Sequence, residues 1–146
     1  MEIILSPYIL AAAFAWIVAQ GLKWVFATIK GRKLGSLRQL YLSGSMPSAH
    51  SATVVSLLIV VAFREGMDSA VFGVALLFAA VVMYDAVMVR RSSGEQGIAL
   101  RELYVQLKRK PEHPFRVAKG HTPLEVVGGM VVGVAVGLVV YYVTAS

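Results

Sequence analysis

Residues 43–61 read SGSMPSAHSATVVSLLIVV: a small-residue, proline-broken loop that opens into a nearly unbroken apolar run, with His50 at its threshold. Ser45 is placed to cap a helix, with Pro47 in its first turn, where a missing N–H is tolerated. The apolar run, taken from Pro47 to Phe63, has three companions: Pro7–Ile29, Ser69–Val89 and Pro123–Val143. Crossing a bilayer takes about 20 apolar residues, which those three supply and the Pro47 run barely reaches. Hydrophobic residues make up 58% of the 146-residue chain, with a mean hydropathy of +0.71. Soluble domains hold roughly 45–50%. The expected fold is an all-α integral membrane helical bundle of about four transmembrane helices, in a single domain covering residues 1–146.

There is no cysteine, which excludes thiol catalysis, disulfides and thiolate metal sites. The first apolar stretch is too long for a cleaved signal peptide, and Glu2 rather than a cation precedes it. The net charge of +6 does not indicate nucleic acid. Every lysine and arginine except Lys23 and Arg64 falls in two polar segments, Lys30–Met46 and Arg90–Thr122. With four crossings both segments lie on one side, and the positive-inside rule puts that side in the cytoplasm of a cell-membrane protein, with both termini outside. Within the second segment, IALRELYVQLKRK (Ile98–Lys110) sets Leu100, Leu103, Tyr104 and Leu107 on one helix face. It reads either as a separate helix lying on the membrane surface or as a solvated basic helix, stopped by Pro111 and Pro114. His113, between those prolines, reads as a solvated surface residue.

Ionisable residues inside apolar segments are costly and point to function. Lys23, with Gln20 on the same face, sits near the end of the first helix, and His50 sits at the start of the second. Asp85, Arg90 and Arg91 close the third; His121 and Glu125 open the fourth. Antiparallel threading brings all of them to one membrane face. Each also has a structural reading. Lys23 snorkels, the arginines obey the charge rule, and Asp85 forms an ion pair. Thr122, Pro123 and Glu125 make a capping box with proline at the first helical position. Neither cap accounts for the histidine beside it.

Two histidines, a carboxylate and several cations suit phosphoryl transfer. Helix N-termini and cations bind phosphate oxygens, and Gly44 and Ser45 allow close backbone approach. One histidine can attack phosphorus while another protonates the leaving oxygen, with a carboxylate fixing the tautomer of the first. His121 and Glu125, four residues apart, are adjacent on one face if helical geometry extends back to His121. A metal site built from His50, His121, Glu125 and Asp85 is the rival chemistry, but there is no HExxH pair and the cations would repel a metal ion. The expectation is no metal and no cofactor.

Pro47-Ser48-Ala49-His50 is similar to the PSGH motif of the type 2 phosphatidic acid phosphatases, relatives of the vanadium haloperoxidases. His121-x-x-x-Glu125 resembles the end of that superfamily's last motif, where aspartate follows the histidine. With YDAVMVRRSSGEQG and GHTPLEVVGG, nearly the whole chain resembles the short divergent branch of that family. The resemblance implies a metal-free phosphatase in which His121 is the nucleophile, Glu125 orients it and His50 protonates the leaving group. Ser48 would hold phosphate oxygens, and Asp85, Arg90, Arg91 and Gln96 fall on the polar positions of the branch. Lys23 is similar to the lysine of a K-x6-R-P motif, although Lys30 and Gly31 replace its arginine and proline. Phe115 stands where the last motif has its arginine, and Arg90 or Arg91 is the candidate replacement. The implied substrate is a lipid phosphate or diphosphate. The alternative is a catalytically inactive phospholipid-headgroup binding or lipid-transport protein, and a purely structural membrane protein is a third reading. A homodimer is compatible with so small a bundle.

Overall fold

A computed structural model of the chain describes residues 5–29, 46–109 and 120–145, and these are all-helical, with no strand among them. Helix α1 is Pro7–Ile29, α2 Ala49–Glu65, α3 Ala70–Tyr84, α4 Arg90–Gln106 and α5 Pro123–Thr144. Asp85–Val89 forms a π-turn that joins α3 to α4 without a break. Expected motif residues Lys30, Gly31, Gly44, Ser45, Pro111, His113, Pro114, Phe115 and Arg116 lie outside the described residues.

Residue size is distributed the opposite way from a soluble protein. The interior is made of small side chains: Ala11, Ala15 and Ala19 of α1, Ser51, Ala52 and Ser56 of α2, and Gly129, Gly133 and Gly137 of α5. Large side chains such as Phe14, Trp24, Leu77 and Phe78 are turned outward and are about half exposed or more. In water that surface would aggregate, whereas in lipid it costs nothing. Small faces let helix backbones approach, and close packing replaces the hydrophobic effect as the source of association. Buried hydroxyls then need partners within the bundle, and Ser56 Oγ donates across to the carbonyl of Ala11 at 3.0 Å.

Of the four bundle helices, α1, the α3–α4 helix and α5 are long and apolar enough to cross a membrane. Helix α2 has only 17 residues, about 25 Å. It is the central helix, packed against α1, α3 and α5, and it reaches both ends of the bundle. At its start Ser48 N–H donates to the carbonyl of Glu125 at 2.9 Å. At its end Arg64 Nη2 donates to the carbonyl of Thr144 at 2.6 Å, and the Glu65 carboxylate accepts from the Tyr8 hydroxyl. Packed on three sides by other helices, it tolerates serines that the apolar spans of α1, α3 and α5 lack.

Two boundaries differ from expectation. The cap of α2 is Ser48, whose hydroxyl accepts Ser51 N–H at 3.3 Å, so Pro47 precedes the helix instead of lying in its first turn. The amphipathic stretch from Ile98 is not a separate surface helix but the continuation of the third helix. Ala70–Gln106 is one helix of 37 residues, about 55 Å long against a hydrocarbon thickness of about 30 Å. It stops at Leu107, where Lys108 turns to φ +50°. The N–H groups of Lys108 and Arg109 bond back to Val105 and Tyr104, closing the last turn before either proline.

Candidate active site

The polar residues meet at the bundle end where α1 finishes and α2 and α5 begin, beside the π-turn. His121 sits just before α5 and is only 8% exposed. Its backbone N–H donates to the carbonyl of Ala86, inside the π-turn, at 2.9 Å. Gly120 passes so close to the start of α4 that a Cβ there would lie 2.5 Å from the backbone N and Cα of Arg91. A glycine is therefore required to bring the chain to the π-turn, a distortion often found at functional sites.

The imidazole Nδ1 of His121 lies 3.2 Å from Glu125 Oε2. The same oxygen accepts Thr122 N–H at 2.9 Å, and Glu125 N–H donates to Thr122 Oγ1 at 3.3 Å, completing the capping box. The capping reading and the functional reading of Glu125 are thus both satisfied by one carboxylate. Because an ionised carboxylate only accepts, this contact puts the proton on Nδ1 and leaves the lone pair on Nε2. Burial pushes the His121 pKa below its ordinary 6.5, while the hydrogen bond and charge of Glu125 pull it partly back and Lys23 and Arg90 oppose protonation. The ring is neutral at pH 7.

His50, on the first turn of α2, is exposed and lies within electrostatic reach of Arg90, Lys23, His121 and Asp85. Lys23 is 5% exposed and interacts with Glu125 across the α1–α5 seam. Gln20, one turn earlier, has a buried Oε1 with no hydrogen-bond partner among the described residues. Arg90 Nε pairs with Asp85 Oδ2 at 2.5 Å. Two of the expected residues point elsewhere: Arg91 pairs with Glu95 at 3.2 Å on an exposed face, and Gln96 donates to Ser92 at 3.4 Å. Ser48 Oγ is fully buried and occupied by Ser51, whose own hydroxyl donates to it at 3.0 Å. Its hydroxyl therefore caps and closes α2 and does not face a ligand. Among the described residues no three histidine, aspartate or glutamate side chains are grouped to hold a metal ion.

Several positioning elements carry no titratable side chain: the Ala86 carbonyl, Ser51, Gly120 and the Gly129–Gly133–Gly137 stripe. The stripe is legible as glycine at four-residue spacing in an apolar helix, a helix-contact signature. The Ala86 contact has no sequence signal.

The chain is thus a helical membrane bundle that gathers two histidines, a partly buried carboxylate and two cations at one end. Residues 5–136 match the Divergent PAP2 family, and the chain belongs to it. It is similar to the uncharacterized membrane protein YuiD of Bacillus subtilis (strain 168), with 33% identity over 156 residues, covering 97% of this chain and 98% of YuiD. No solved structure matches the chain.

Proposed function

We propose that the protein is a lipid phosphate or diphosphate phosphatase that works through a phosphohistidine without a metal ion. The observation that carries this reading is the contact of the His121 imidazole with the Glu125 carboxylate, within electrostatic reach of a second histidine, Lys23 and Arg90. Nε2 of His121 attacks phosphorus as the bond from phosphorus to the leaving oxygen breaks. His50, charged when the phosphate dianion is bound beside it, gives its proton to that oxygen, and the alcohol or shorter phosphate departs. Water then attacks the phosphohistidine, giving its proton to the now neutral His50. The P–N bond breaks, and inorganic phosphate leaves with His121 restored. Glu125 stabilises the charge on the ring while the P–N bond exists. Lys23 and Arg90 supply the cations that phosphate oxygens require, with Arg90 taking the place of the arginine missing at Phe115.

The donor set favours chemistry without a resident cation, since the charges of Lys23 and Arg90 already act on both histidines. In this reading the site end of the bundle faces the cytoplasm of the cell membrane. Its test is thiol labelling of His121→Cys, which should occur only from the cytoplasmic side.

Release of phosphate from phosphatidic acid in nonionic-detergent micelles tests the hydrolase. His121→Ala and His50→Ala should each lower it by about 10³-fold or more. Turnover that survives both substitutions would overturn the mechanism. Tight phosphate-headgroup binding without turnover in the wild type would make the protein a headgroup binder instead.

A further inference from the structure

The seam between α1 and α5 has two chemically distinct parts. At the site end Lys23 and Glu125 interact across it. Further along, the outer side opens into a lipid-facing groove of about 450 Å³, walled by Leu10, Phe14 and Val18 of α1 and Val136, Val139 and Val143 of α5. Its surface is wholly apolar, and Phe14, Val139 and Val143 are at least half exposed. At the far end the hydroxyl of Thr144 donates to Val140 and accepts from Arg64, so it offers nothing to a ligand. On α5, Val132 and Glu125 lie on the same helix face as Val136 and Val139, nearer the site. On α1, Leu22, the neighbour of Lys23, follows Leu10, Phe14 and Val18 at the same four-residue step.

We infer that this groove holds one long hydrocarbon chain of the lipid phosphate whose headgroup occupies the His50–His121 cluster. A ligand that fits both parts must be amphipathic, with a phosphate at one end and a single extended chain below it. The inference rests on the phosphate-site reading above and adds the chain specificity. Val18 lies five residues from Lys23 and Leu10 thirteen, so the α1 wall runs from about 8 to about 20 Å below the site. On α5, Ala135 to Val143 spans about 15 to 27 Å from Glu125. An extended chain advances about 1.25 Å per carbon, given C–C bonds of about 1.5 Å. Chains of about eight carbons therefore stop at the mouth of the groove, and chains of about 16–20 fill it.

Octadecyl phosphate carrying a diazirine at the chain end is irradiated with the full-length protein in nonionic-detergent micelles. The label should map to residues 8–14 and 136–143. Unlabelled octadecyl phosphate should compete, whereas octyl phosphate and octadecanol should not. Val139→Trp and Phe14→Trp, which fill the groove from opposite walls, should each cut labelling at least ~fivefold, since in hydrocarbon only packing discriminates. Labelling that ignores both substitutions, or that octadecanol displaces as well as octadecyl phosphate does, means bulk hydrocarbon fills the groove and overturns the inference. His121→Ala separates the two readings. Phosphate-dependent labelling with no His121-dependent release from octadecyl phosphate would sink the hydrolase and keep the groove. Release without such labelling would sink the groove and keep the hydrolase.

Discussion

Gly129→Ala tests whether helix contact sets the distance between the two histidines. A Cβ on Gly129 would lie 2.4 Å from the Ser48 carbonyl oxygen and 2.9 Å from Ser51 Cβ. Ordinary contact begins at 3.4 Å, so α2 must recede from α5 by 3.4 − 2.4 = 1.0 Å at that level. The obstacle is backbone at the capped start of a helix, which cannot rotate away. The Ser48 N–H bond to the Glu125 carbonyl, now 2.9 Å, would be lost. Overpacking of this kind costs about 1–3 kcal/mol, offset by up to about 1 kcal/mol from the better helix propensity of alanine. At the middle of that range, a net cost of about 1–2 kcal/mol, the melting temperature in detergent should fall by about 2–8 °C. Because α2 carries His50 and α5 follows His121, the same shift spreads the two imidazoles, and a 1 Å misplacement costs about 10²-fold in rate. Gly73→Ala is the control, because nothing lies within 4 Å of its added carbon. It should be neutral or slightly stabilising, with unchanged turnover. The reasoning fails if Gly129→Ala melts and turns over like the wild type, or if Gly73→Ala does equal damage.

The acid limb of phosphate release should lie below 6.5, the ordinary histidine value, because burial holds His121 neutral. Glu125→Gln removes the carboxylate charge that raises the ring's pKa and leaves only a weaker, neutral acceptor, so the limb should move further down while the maximal rate falls. Stability follows the same sign. A ring with a lowered folded-state pKa favours folding fully above 6.5, and that contribution is lost as pH falls toward the folded value, which a pH series of thermal melts would show. The two adjacent arginines should separate in kinetics. Arg90→Ala should lower kcat/KM by about 10²-fold or more. Arg91→Ala, whose guanidinium is exposed and paired with Glu95, should change it by less than about threefold.

Local chemistry made much of the candidate site's geometry legible in sequence. The Thr122-Pro123-x-Glu125 capping box and the four-residue step from His121 to Glu125 depend only on helix geometry, so both are readable without tertiary information. The membrane class followed from the apolar runs alone. Arg90 and Arg91 were not distinguishable, because neighbouring helix positions point about 100° apart and which one faces the bundle depends on the turn before them. That π-turn, DAVMV, contains neither glycine nor proline, so the third helix reads as ending at Val89 although it continues to Gln106. The cap of α2 is displaced from Ser45 to Ser48 because SGSMPS offers several hydroxyls. Only the contact with α5, through Gly129 and the Glu125 carbonyl, selects among them. The tight approach of Gly120 to Arg91 depends on two segments distant in sequence, and no local pattern announces it.

The central claim is that His121 carries the phosphoryl group. Rapid quenching of the wild type during turnover, under alkaline conditions that preserve phosphohistidine, followed by peptide mass spectrometry, tests it most directly. The account predicts one phosphoryl group on the peptide containing His121, absent in His121→Ala and slower to appear in His50→Ala. Turnover with phosphate attached to any other residue, or sustained in His121→Ala, would contradict it.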